Sequence, residues 1–135
     1  MLTRFVKFGL VGSTGVVINM AMFWVLTNGV GMHYLIAAAC AIELALCSNY
    51  LLNHNWTFGD RSAGRADGRQ FAQYHVVSLG GMLINVAILQ LLVGKFGILP
   101  ALGNLCGIAA GMTWNFAINF HWTWRRAPVV LVGTE

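Results

Sequence analysis

Charge disappears from two long stretches of this chain. No Asp, Glu, Lys or Arg stands between Lys7 and Glu43, and none between Lys95 and Arg125. Both stretches exceed the roughly 20 apolar residues that span a bilayer core. The pattern predicts four helical spans, about Phe8 to Leu26, Tyr34 to Leu52, His75 to Val93 and Pro100 to Phe120. Asn28-Gly29-Val30-Gly31 reads as the first turn, because paired glycines break a helix. Lys95 to Pro100 reads as the turn between the last two spans, with Pro100 placed to start a helix. The one polar segment, Gly59 to Arg69, reads as an exposed linker between two hairpins.

The hairpins repeat each other. Residues 4 to 58 align without a gap on residues 70 to 124, pairing Phe5 with Phe71, Gly15 with Gly81, Asn19 with Asn85 and Cys40 with Cys106. The stretch Asn49 to Phe58 returns as Asn115 to Trp124, with two asparagines four apart and a tryptophan three further on. The expected fold is therefore an all-α membrane protein of four transmembrane helices, built as a tandem duplication of a two-helix hairpin. The expected division is repeat 1 at 4–58, a linker at 59–69, repeat 2 at 70–124 and a tail at 125–135. Each unit has an even number of spans, so the copies point the same way, related by an axis along the membrane normal. A ladder of small residues, Ala37, Ala41 and Ala45, is matched by Gly103, Gly107 and Gly111. Such ladders let helices approach closely in lipid, here either spans two and four or two protomers.

Composition strengthens the membrane reading, since 58% of the 135 residues are apolar and 9% charged, which excludes an ordinary soluble domain. Arg4 and Lys7 before an apolar run resemble a signal peptide, but no small-residue cleavage pattern follows and further spans do. Cys40, Cys47 and Cys106 lie within expected spans with no metal-ligand spacing, and read as small packers. The net charge of +4 collects at helix ends, so anionic lipid is the expected partner and nucleic acid is not. Arg4, Lys7, Arg61, Arg65, Arg69, Arg125 and Arg126 fall on one side and Lys95 alone on the other. The positive-inside rule then puts both termini and the linker in the cytoplasm, in a multi-pass protein of the cytoplasmic (inner) membrane.

Candidate chemistry begins with the repeated motif. On a regular helix Asn49, Asn53 and Trp56 share a face, as do Asn115, Asn119 and Trp122, putting amides and an indole near the headgroups. Asn19 and Asn85, each four residues after a glycine, line a polar path or join helices. Glu43, the one acid deep in a span, is a coupling carboxylate, a hydrogen-bonding partner for a substrate hydroxyl, or a neutral acid satisfied by a neighbouring helix, and His75, near the start of the third span, could contact a phosphate or Glu43. Arg4, Lys7, His54, Arg125 and Arg126, with the linker arginines, gather where a phosphate would be held, although topology alone places cations there. No catalytic set, metal cluster or phosphate-cradling loop stands out, so neither an enzyme nor a cofactor is expected.

Arg4 to Gly12, the four spans and above all Asn49 to Phe58 resemble the GtrA-like proteins, over nearly the whole chain from Arg4 to Arg126. The resemblance implies movement of a polyprenyl-phosphate-linked sugar, such as undecaprenyl-phosphate glucose, from the cytoplasmic to the outer leaflet for cell-envelope glycosylation. Some relatives look instead like partners of the glycosyltransferases that make or use such lipids. Where the family often has a basic residue after the second asparagine, this chain has His54 and Phe120; His54, Arg125 and Arg126 are the expected substitutes. The implied function is a lipid-linked sugar translocase that works without covalent catalysis, a homo-oligomer being expected because four short helices enclose little volume. A scaffold recruiting a glycosyltransferase and a proton-coupled cation exporter resting on Glu43 are the alternatives.

Overall fold

The computed structural model describes residues 1–62 and 67–125, which form four α-helices, with no strand among them. They are α1 (Leu2–Trp24), α2 (Tyr34–Leu52), α3 (Gly68–Leu89) and α4 (Pro100–Ile118). Arg65, Arg126 and the tail beyond Arg125 fall outside the described residues. With their terminal turns, α1, α2 and α3 are each long and apolar enough to cross a membrane. The fourth carries three glycines, two asparagines and a tryptophan among its 19 residues. It lies along α3 for most of its length.

Both odd-numbered helices start earlier than their apolar runs. With its last turn α1 covers 28 residues, roughly 40 Å at 1.5 Å per residue, which overshoots a core of about 30 Å. Asp67 caps α3, its carboxylate accepting the Gln70 N–H at 2.6 Å. That start removes Gly68 and Arg69 from the expected linker. The segment's first residues are not free either: Asp60 pairs with Arg4, and Arg61 donates to the Phe120 carbonyl at 3.0 Å.

Every helix ends in a wider π-helical turn, at Val25–Gly29, Asn53–Thr57, Gln90–Lys95 and Asn119–Thr123. At the first and third of these the chain then reverses through Gly31 (φ +73°) and Gly97 (φ +64°), a region that costs a side-chain-bearing residue. The Met32 and Ile98 N–H groups reach back to the Leu26 and Leu92 carbonyls, satisfying the helix ends. Pro100 occupies the first turn of α4, where a missing N–H costs nothing.

The small-residue ladders lie inside the hairpins, a different seam from either expected one. Ala37, Ala41 and Ala45 are buried on α2, whose main neighbour is α1. A β-carbon at Gly111 would stand 2.6 Å from the Gly81 carbonyl oxygen of α3, and one at Gly107 would strike Asn85. Backbone cannot yield as a flexible side chain can. Gly111→Ala is expected to cost roughly 1–3 kcal/mol of stability, read as a lower thermal midpoint in detergent. Gly12→Ala, with nothing within 4 Å of its β-carbon, should stay within about 0.5 kcal/mol.

The hairpins meet chiefly at one end. There Phe8, Tyr50, Phe58, Tyr74, Phe116 and Trp124 form a buried aromatic cluster drawn from all four helices and the turns after α2 and α4. Phe58 and Trp124, the matching last residues of the two motifs, stack with centroids 4.5 Å apart and planes at 14°. Elsewhere the helices present apolar side chains such as Val17, Met20, Leu79 and Leu105 outward, as lipid-facing surfaces do.

Candidate functional site

Next to the aromatic cluster a cleft of about 410 Å³ opens between the hairpins, within the roughly 300–1,000 Å³ range of small-molecule sites. Its polar lining is Ser13 of α1, Asn49 of α2, Asn53 just after it, Ser78 and Asn85 of α3, and Asn115 of α4. No charged side chain lines it among the described residues. Helical spacing explains the α3 wall: Tyr74, Ser78, Gly81 and Asn85 recur at steps of three and four along one face.

The asparagines are held by glycine on the facing helix. Asn49 of α2 rests on Gly15 of α1 and Asn115 of α4 on Gly81 of α3, so close that a β-carbon at either glycine would collide with the amide. Asn53 is 1% exposed and shares the cleft lining with Tyr74 and Ser78 of α3. The carbonyl oxygens of Asn49, Asn53 and Asn115 are shut off from solvent and have no donor among the described residues. An unmet buried acceptor costs about 1–3 kcal/mol.

The second motif does not copy the first here. Asn119 is fully buried away from the cleft and accepts the Thr123 hydroxyl at 2.7 Å. Nor do Trp56 and Trp122 join the asparagines, as the helical spacing predicted: they are 48% and 47% exposed. The wider turn is the cause. The Phe58 N–H bonds back five residues to Asn53, and Trp124 to Asn119, each at 2.8 Å, which swings Trp56 and Trp122 outward and brings Phe58 and Trp124 inward. Their exposed indoles still suit a headgroup level.

Two other expected lining residues lie elsewhere. Asn19 is half-buried on α1 and outside the cleft lining. Glu43 is exposed on α2, where its Oε1 lies 3.0 Å from His75 Nε2 of α3. The Phe71 carbonyl sits 3.1 Å from His75 Nδ1. His75 thus bridges to Glu43, the contact considered for it, and the carboxylate does not enter the cleft.

All the described cations except Lys95 lie at the end of the bundle that carries the aromatic cluster. Arg4 pairs with Asp60, and the Arg61 guanidinium covers the Phe120 ring at 3.6 Å. Lys7 has its Nζ 5.0 Å from the Trp56 ring centre. Arg69 and Arg125 are exposed. Arg4, Lys7 and Trp56 also border a shallow hollow of about 620 Å³ with Asn55 and Asp60. His54 is buried rather than presented to a ligand, its Nδ1 bonded to Gln70 Oε1 at 2.9 Å.

Gln70 is the residue that the sequence reading missed. Its Oε1 also accepts the Tyr50 hydroxyl at 3.1 Å, and its Nε2 donates to the Thr123 carbonyl at 3.0 Å. One amide therefore ties the end of α2, the start of α3 and the turn after α4. The signal was present as Asp67-x-x-Gln70, an acidic N-cap followed three residues later by Gln, which marks a helix start. Gln70→Ala is expected to cost about 2–3 kcal/mol, measured by thermal unfolding in detergent. Gln70→Glu, which loses the donor and sets a carboxylate oxygen against the Thr123 carbonyl, should not restore the wild-type midpoint.

Chemically the arrangement is a neutral, amide-rich cleft beside a cationic end. Among the described residues no group of three His, Cys, Asp or Glu could hold a metal ion. A family model described as the GtrA/DPMS transmembrane domain matches residues 7–124. A dolichol-phosphate mannosyltransferase from Pyrococcus furiosus is 33% identical over 121 residues, which cover 90% of this chain and 34% of that protein. The chain thus spans about a third of the relative's length.

Proposed function

The chain belongs to the GtrA/DPMS transmembrane-domain family, and on that premise we propose that it carries a polyprenyl-phosphate-linked monosaccharide from the cytoplasmic to the outer leaflet. The observation that carries the reading is the polar cleft between two otherwise lipid-facing hairpins. A sugar cannot cross hydrocarbon without leaving its hydroxyls unbonded, at a cost of several kcal/mol each by apolar-transfer estimates of about 4–8. A lining of Asn49, Asn53, Asn85, Asn115 and two serines supplies partners along part of the way. The isoprenoid tail remains in lipid against the apolar outer faces. No residue is asked to break a bond, so the protein acts as a carrier rather than an enzyme, and a gradient of the lipid suffices to drive it. The end bearing Arg4, Lys7, Arg61, Arg69 and Arg125 faces the cytoplasm, and two copies of a duplicated hairpin would give the chain its parallel halves.

The test is transfer in vesicles. Purified protein reconstituted with labelled undecaprenyl-phosphate glucose should make the inner-leaflet lipid accessible to an outer-leaflet reagent faster than protein-free vesicles do. No acceleration would overturn the translocase.

A second reading keeps the same lipid and drops the transport. The mannosyltransferase relative contains the matched stretch as about a third of its chain, which favours a membrane unit that serves a glycosyltransferase. Under that reading, co-reconstitution raises the activity of a partner glycosyltransferase while lipid exchange stays at background, and replacing Arg61 and Arg69 abolishes the effect. The cation-exporter reading has no such support, since Glu43 stands outside the cleft.

A further inference from the structure

We propose that the cleft receives the sugar alone, selecting an uncharged monosaccharide, while the phosphate stays outside it among the cations at the bundle end. This deepens the translocase reading and rests on it.

The separation follows from what each region can offer. A phosphodiester is an anion that only accepts hydrogen bonds, so it needs cations or N–H donors. Among the described residues the cleft offers no cation, since its lining holds no Lys, Arg or His, and its neutral amide and hydroxyl donors do not offset a full negative charge. Three buried carbonyl oxygens there, on Asn49, Asn53 and Asn115, already lack a donor among the described residues. An ionised phosphate against them would face acceptor with acceptor, in a setting of low dielectric where the repulsion is strong. A sugar hydroxyl does the opposite. It donates to the amide oxygen and accepts from an amide N–H or from Ser13 or Ser78. The amides of Asn49 and Asn115 lie flat on Gly15 and Gly81, and a short turn away from those glycines brings them onto an entering hydroxyl.

The same chemistry sets a specificity. A uronic acid has the outline of a hexose but carries a carboxylate, which meets the same unmatched acceptors without a cation. Neutral hexoses should be admitted and uronates refused. At the bundle end, by contrast, Lys7 beside Trp56 offers a charged donor at the mouth of the outer hollow.

The experiment uses the full-length protein in detergent with three lipids in competition: undecaprenyl phosphate, its glucose ester and its glucuronic acid ester, with retention read by native mass spectrometry. The wild type should retain the glucose form over both others. Asn53→Ala and Asn115→Ala should each lower that preference about fivefold, the equivalent of one neutral hydrogen bond, and leave the bare lipid phosphate bound as before. Thermal unfolding of both variants on the same preparations separates a lost preference from a lost fold. Ser13→Lys, at an exposed lining position, should shift the preference towards the glucuronic acid form. Lys7→Gln should weaken all three lipids alike. Equal loss of bare and glucosylated lipid in the asparagine variants would overturn the division of labour and leave the translocase standing. Wild-type preference for the glucuronic acid form would overturn the specificity in the same way. Retention of none of the three by the wild type would sink both readings.

Discussion

Gly12→Phe is expected to lower transfer of undecaprenyl-phosphate glucose by on the order of a hundredfold, the consequence of about 2.7 kcal/mol of lost sugar binding, while the protein stays folded. Gly12 lines the cleft, and a β-carbon there meets nothing within 4 Å. A ring built outward from it occupies the cleft without displacing a helix. Gly81 lines the same cleft but sits under Asn115, so a bulky residue there would separate helices and confuse blockage with unfolding. Transfer in vesicles and thermal unfolding, measured on the same preparation, distinguish the two. Undiminished transfer by a well-folded Gly12→Phe would mean that the sugar does not use this cleft.

Trp124→Ala should be among the most destabilising single changes in the chain, at about 3 kcal/mol or more. The indole is fully buried and stacks on Phe58, with Tyr50 and Tyr74 also against it. Where the alternative to burial is lipid, little transfer free energy is at stake, so the cost arises from lost contacts and the cavity left behind. That places the expectation at the low end of what truncating a buried aromatic costs in water-soluble proteins. Trp122→Ala, two residues earlier and half exposed, should change stability by no more than about 0.5 kcal/mol. Equal losses at the two positions in a detergent unfolding assay would contradict the inward turn of the motif's final residue.

The helices were legible because hydrocarbon imposes a length: runs of uncharged residues longer than a bilayer core leave few alternatives. Asn49, Asn53 and Asn115 stood out in the sequence as candidates because amides are costly among apolar neighbours, and the structure places all three on the lining of one cleft. The facing of the tryptophans was not legible. A uniform helical step would carry Trp56 onto the face of Asn53, and the π-helical turn at Asn53–Thr57 breaks that step. Nothing in Asn-His-Asn-Trp-Thr marks such a turn in advance. Gln70 was hidden for another reason: it follows a glycine-rich polar stretch whose average composition reads as linker, although its local pattern with Asp67 signals a helix start. The small-residue ladders announced close packing without naming a partner, because glycine and alanine permit approach from any helix. Only the fold assigns them to the hairpin each belongs to.

The contact between Glu43 and His75 has a consequence for how that flank of the protein meets lipid. A backbone carbonyl can only accept, so the Phe71 oxygen fixes a hydrogen on His75 Nδ1 and leaves Nε2 to face the carboxyl group. Closing a 3.0 Å bond between that nitrogen and a carboxyl oxygen takes one shared proton. If the proton sits on Glu43, a neutral acid meets a neutral imidazole; if it sits on His75, a carboxylate meets an imidazolium. The formal charges sum to zero either way. A lone carboxylate midway along a span would cost at least about 2.5–3.5 kcal/mol, whereas the couple presents hydrocarbon with a dipole and links α2 of the first hairpin to α3 of the second.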